Sequence, residues 1–230
     1  MFVARTFTNP FSIELNDCNE NNEDGVYMTV RRFEQFICSL KKKIDEGNER
    51  ILFEIQKEEN DIAISMLNQL DVSNSVHYFN DTLLKSFTVS IYSFFEHKLN
   101  QISLICERHL QLNTQIRNYA KTGKALNSLI EKYNFFLTAE VIPNLINYES
   151  KFNTIKKWKE LRNLIVHDNS IIRNNEFDIT TFSAIRIEDG VIKLHGDIDV
   201  LDFLYLVEAY LKIVIDLTNE KYDLINYSST

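Results

Sequence analysis

The sequence predicts an all-α helical bundle with one short β-hairpin inserted before the last helix. Three observations carry this. Glycine and proline are scarce, five and two in 230 residues, which argues against a sandwich or barrel of many short strands. One apolar stripe, Leu84, Phe87, Ile91, Phe95, Leu99, Ile102 and Cys106, repeats at three and four residues for six turns, as in a bundle helix. Late in the chain the period changes once: residues 182–187 and 191–194 flank Glu188-Asp189-Gly190, a hairpin signature.

Taken in order, residues 1–25 hold Phe2, Phe7, Phe11, Ile13 and Leu15 and then turn polar, which reads as an ordered start followed by a loop. Val30, Phe33, Phe36, Ile37 and Leu40 give a helix over 29–46, with Gly47 and Asn48 expected to end it. The helical pattern resumes over 51–70 around a very polar middle, and the clearest helix follows over 76–110. Gly123 marks a connection. A helix over 124–137 continues through 139–148, where Pro143 is expected to start a new helix or kink this one. Phe152, Ile155, Trp158, Leu161 and Ile165 stripe the next helix, which ends near His167 because Asp168, Asn169 and Ser170 are stop residues. Trp158 keeps register with Ile155 and Leu161 and is read as core. After the hairpin, Asp199 with Asp202 marks a helix start, and Val200 to Leu217 forms a strongly apolar last helix. The reading divides the chain into an N-terminal helical extension, 1–72, and a helical domain, 73–225.

Composition narrows function. The net charge of -8 excludes a general polyanion binder unless a basic patch is local. Cys18, Cys38 and Cys106 lack any ligand or disulfide spacing, so neither zinc nor a disulfide framework is expected, and no metal or cofactor is assigned. With no apolar run of membrane length and no apolar leader, the expectation is a soluble cytoplasmic protein without a membrane partner. There is no Gly-rich phosphate loop and no G-x-S-x-G or H-E-x-x-H.

What remains is Arg162-Asn163-Leu164-Ile165-Val166-His167. An Arg followed by His at such spacing arises by chance about 0.6 times in a chain of this composition, and Arg-Asn with His five after the Arg about 0.02 times. On a helix Asn163 and His167 lie about 40° apart, one turn along the same face. Arg162 is about 140° from His167, but its length lets both groups converge on one phosphate at a helix end. Arg supplies a planar fork for phosphate oxygens, and His moves a proton near neutral pH. These are the minimum for metal-free RNA cleavage by 2′-OH attack. The plain alternative is a helix C-terminus with a capping His and a surface Arg. Lys151, Lys156, Lys157, Lys159 and Arg162 face only Glu160, a local basic excess able to track an RNA backbone or to form a solvated face.

This arrangement resembles the HEPN superfamily, helical bundles with an R-x4-6-H motif on a late helix, often with Asn after the Arg. The segment Tyr92-Ser93-Phe94-Phe95-Glu96-His97-Lys98-Leu99-Asn100 and the order long helix, motif helix, hairpin, final apolar helix match as well, over about residues 76–222. The resemblance implies a metal-independent endoribonuclease of toxin or anti-phage abortive-infection type. In it Arg162 binds the scissile phosphate, His167 is general base or acid, Asn163 orients it or the substrate, and Glu96 holds Arg162 or His167. Lys156, Lys157 and Lys159 would bind RNA. It also implies a homodimer with facing motifs and an antitoxin or defence-system partner. Asn169 stands where some toxin members carry a modifiable Tyr, so that mode of control is not expected. The second reading is a HEPN-like module that binds or dimerises without catalysis.

Overall fold

The computed structural model describes residues 10–19, 25–58, 62–110, 112, 115–116, 128–172 and 177–227. Among them are six α-helices and one two-stranded antiparallel hairpin that precedes the last helix in the chain: α1 (Pro10–Asn19), α2 (Val26–Glu58), α3 (Ile62–His109), α4 (Leu129–Phe136), α5 (Glu149–His167), β1 (Ile185–Glu188), β2 (Val191–Leu194) and α6 (Ile198–Tyr227). The fold class read from the sequence is therefore observed. The connection expected at Gly123, the ordered start before residue 10 and the last three residues lie outside the described residues.

Gly47 does not end the second helix: α2 runs through it. A glycine inside a helix costs only about 1 kcal/mol relative to alanine. A side chain there would meet nothing within 4 Å, so the site is an open helix surface. Beyond it the pattern read over 51–70 is divided, with α2 ending at Glu58 and α3 starting at Ile62 and continuing unbroken to His109. Residue 72 lies inside α3. Before Pro143 the chain is not a plain α-helix. α4 gives way to a π-turn over Leu137–Val141, closed by Ile142 N–H donating to Leu137 C=O at 2.8 Å, and Pro143 then opens a 3-10 helix to Tyr148. Proline at a first helical position loses no intrahelical bond, which is why it starts an element here.

The chain falls into two units that interleave along the sequence: Met1–Val30, Tyr92–Lys156 and Tyr205–Thr230 in the first, Arg31–Ile91 and Lys157–Leu204 in the second. Helices α2, α3, α5 and α6 each contribute residues to both. The core of the first unit is built on Phe95, Phe152 and Tyr210, whose rings meet at 6.0 and 5.7 Å, with Phe11 stacked on Tyr222 at 4.1 Å. The core of the second is built on Trp158, 4% exposed, stacked on Phe203 at 4.4 Å and edge-on to Phe182 at 4.8 Å. Trp158 is thus core, as its register indicates.

The hairpin turns on Asp189 and Gly190, both with positive φ (50° and 77°), the geometry that matches strand twist and favours Asp-Gly. Asp199 does not cap α6. The helix starts one residue earlier, and the buried Asp199 carboxylate instead accepts bonds from Ser183 N–H, Ser183 Oγ–H and Ala184 N–H at 2.6–2.9 Å, tying the strand approach to the helix. Asp197, just before the helix, pairs with Lys41 at 2.6 Å.

Candidate active site

The motif helix α5 ends at His167, as its stop residues dictate. The exit is a wide left-handed turn: Asn169 and Ser170 have φ of 50° and 65°, and Ser170 N–H reaches back to the Leu164 carbonyl at 2.8 Å. Asn accepts this region readily, whereas Ser there costs of order 1 kcal/mol. The hairpin holds the turn in place. Ile192 N–H donates to Ser170 C=O and Ile172 N–H to Gly190 C=O, both at 2.8 Å, and Ile171 bridges Val191. The last turn of the motif helix is thereby fixed from outside the helix itself.

Within this frame Arg162 and Asn163 are half-buried and His167 is exposed. Arg162 Nη1 donates to Asn163 Oδ1 at 3.1 Å, while its Nε is shielded from solvent. The asparagine thus orients the guanidinium, and the partial burial lowers the local dielectric, so an anion brought to Arg162 is attracted more strongly than at an open surface. His167, on the same helix face as Asn163 and one turn on, presents its imidazole to water at the helix end.

Glu96 lies on α3 in the first unit, half-buried, where its charge and local burial together hold the Tyr133 phenol above its ordinary range, burial being the larger cause. Lys156 and Lys157, expected to bind RNA, have acidic partners. Lys156 pairs with Glu131 at 3.5 Å. Lys157 donates to Thr181 Oγ at 2.6 Å and sits 3.4 Å from Asp178. Asp178 in turn is held below the usual carboxylate range, first by hydrogen bonds from Thr180 and then by Lys157. Lys159 is half-buried. The basic excess counted along the helix is therefore partly neutralised by residues 21–25 positions away.

Sequence reading missed the supports of this site. Asp81, 5% exposed on α3, accepts Leu194 N–H at 2.8 Å and Lys85 Nζ at 2.8 Å, with Lys193 at 3.7 Å, and so holds the hairpin that holds the motif turn. No local signal marks it, since its partner is 113 residues away. Among the described residues no group of three His, Cys, Asp or Glu could hold a metal ion, and no helix is long and apolar enough to cross a membrane. Comparison with protein-family models, curated proteins and solved structures finds no match to this chain.

Proposed function

We propose that the protein is a metal-independent endoribonuclease of HEPN type, a toxin or phage-defence effector, with Arg162, Asn163 and His167 as its reacting face. The observation that supports this most is the Arg162–Asn163 hydrogen bond on a helix whose exposed last residue is His167. Arg162 would hold the scissile phosphate. An imidazole would take the 2′-OH proton, the 2′ oxygen would form a bond to phosphorus, and the bond to the 5′ oxygen would break as that oxygen is protonated. One Arg and one His serve one side of the phosphodiester, so two copies related by a two-fold axis would complete it. The ion pairs of Lys156 and Lys157 favour a second reading, a binding or dimerisation module without catalysis, because they leave less charge for an RNA backbone.

The test is cleavage of RNA with EDTA present. Products are expected to end in 2′,3′-cyclic phosphate and 5′-OH, DNA is expected to be inert for want of the 2′-OH, and His167→Ala is expected to lose roughly 10²–10⁴ in rate with RNA binding and fold intact. Full activity in His167→Ala, loss of cleavage with EDTA, or cutting of DNA overturns the proposal.

A further inference from the structure

A cleft of about 310 Å³ opens in the first unit where α4 breaks into the π-turn and faces the start of α5. Its floor is apolar, formed by Leu145 and Phe152, 1% and 6% exposed. Its lips are apolar too: Phe135 and Ile146 stand 39% and 60% exposed. The volume sits at the small end of ligand sites, so it suits one planar ring rather than a peptide or a helix. The break itself makes the shape. A π-turn displaces the side chains of one helical turn, and such turns are frequent at functional sites.

Six of the ten residues lining this cleft are polar, Glu131, Asn134, Thr138, Glu149, Asn153 and Lys156, so its apolar floor is ringed by two carboxylates and one ammonium. The Tyr210 hydroxyl, on a side chain with no exposed surface, donates to Asn134 Oδ1. Burial keeps the Tyr210 phenol well above its ordinary range, so it stays a donor. With its oxygen engaged, Asn134 has its NH2 donors left for whatever enters the cleft. Asn153 adds a second, exposed amide. At the rim Lys156 meets Glu131 at 3.5 Å, and Glu131 is fixed in turn by the Ser128 hydroxyl at 2.9 Å. A lysine ammonium carries three donors, and one ion pair does not exhaust them.

We infer that this cleft receives a single unpaired nucleobase of an RNA strand, resting the ring against Phe135, meeting its edge acceptors with the Asn134 amide and its adjoining phosphate with Lys156. The inference rests on the reading of the protein as acting on RNA. The chemistry selects this occupant over a plain hydrophobe because a buried tyrosine is spent on fixing an amide, and over a free anion because the floor and lips are apolar. Base–aromatic stacking is tolerant of sequence, so the site reads single-strandedness.

Fluorescence anisotropy tests this with a labelled 2′-O-methyl decamer, which cannot be cleaved, the same decamer as a duplex, and an abasic backbone of equal length. The single strand is expected to bind at least about tenfold more tightly than the abasic backbone and more tightly than the duplex. Phe135→Ala is expected to remove about 5–100-fold of that advantage. Asn134→Asp still accepts the Tyr210 hydrogen bond but replaces the NH2 donors with a carboxylate oxygen; the added negative charge weakens single strand and abasic backbone alike, so the ratio of the two, expected to fall about tenfold, reports the lost donors. Lys156→Ala is expected to weaken single strand and abasic backbone alike and to reduce the salt slope by about 1. Equal binding of the single strand and the abasic backbone, or ratios unchanged in both Phe135→Ala and Asn134→Asp, overturns the inference. Cleavage of unmodified RNA together with equal binding of the single strand and the abasic backbone removes the cleft and leaves the nuclease; tighter binding of the single strand than of the abasic backbone without cleavage removes the nuclease and leaves the cleft.

Discussion

Burial sorts chemically identical residues. Cys18 and Cys106 have no exposed surface, while Cys38 is exposed. Burial raises the Cys18 thiol and pushes Cys106 up to about 12 from an ordinary 9.0. The thiolate is the reacting species, so only Cys38 is expected to react quickly with a thiol reagent at pH 8, and all three only after denaturation. Three fast thiols in the native protein would contradict the packing. The same shift sets a pH dependence. Above about pH 9 the unfolded chain releases the Cys106 proton while the folded chain keeps it until about 12, so the unfolded state binds fewer protons and stability falls as pH rises through that window. Urea midpoints at pH 8 and pH 10.5 measure the fall, and Cys106→Ala is expected to flatten it. At the proposed site the same scale separates Arg162 and Asn163, half-buried and bonded to each other, from the exposed His167.

Among elements, the hairpin holds the end of the motif helix, and two residues hold the hairpin. Asp81→Ala would leave the Leu194 N–H and the Lys85 ammonium without their buried acceptor, a loss of about 2–4 kcal/mol. Gly190→Ala places a side chain at φ +77°, a cost of about 1–2 kcal/mol. Chemical denaturation is expected to show both losses, Asp81→Ala the larger. If cleavage is established, Gly190→Ala is expected to lower its rate while the protein stays folded, since the turn after His167 is bonded to Gly190 and Ile192. A variant with full stability at either position would mean the hairpin is held by other contacts. By contrast the helix interruption expected at Gly47 is absent, because a single glycine inside a long helix costs only about 1 kcal/mol.

The whole molecule enters through its number of copies. A homodimer is expected, with its two-fold axis near α5, because a single Arg and His cannot hold both sides of a phosphodiester. Light scattering at micromolar concentration checks it, and a monomer throughout that range counts against the composite site. The net charge of -8 adds a constraint at this scale. An acidic molecule repels RNA at long range, so any binding must be local and steeply dependent on salt.

How much of this was legible in the sequence follows from how far each signal reaches along the chain. The sequence alone determined the helix faces of α3, α5 and α6, the Asp-Gly turn and the end of the motif helix at His167, because apolar periodicity and turn chemistry are written in neighbours a few residues apart. It also placed Arg162 and Asn163 side by side. Only the tertiary structure decided which charges are neutralised. Lys41 finds Asp197 156 positions away, Lys157 finds Asp178 21 away, and Asp81 finds Leu194 113 away. It likewise gave the Asp199 carboxylate, at the helix start the sequence marks, its partners in Ser183 and Ala184, and gave Asn134 a partner in Tyr210, 76 positions on. Partners of buried or paired polar groups are chosen by proximity in the folded chain, and desolvation makes that choice costly to leave unmade, whereas nothing in the local pattern names the partner.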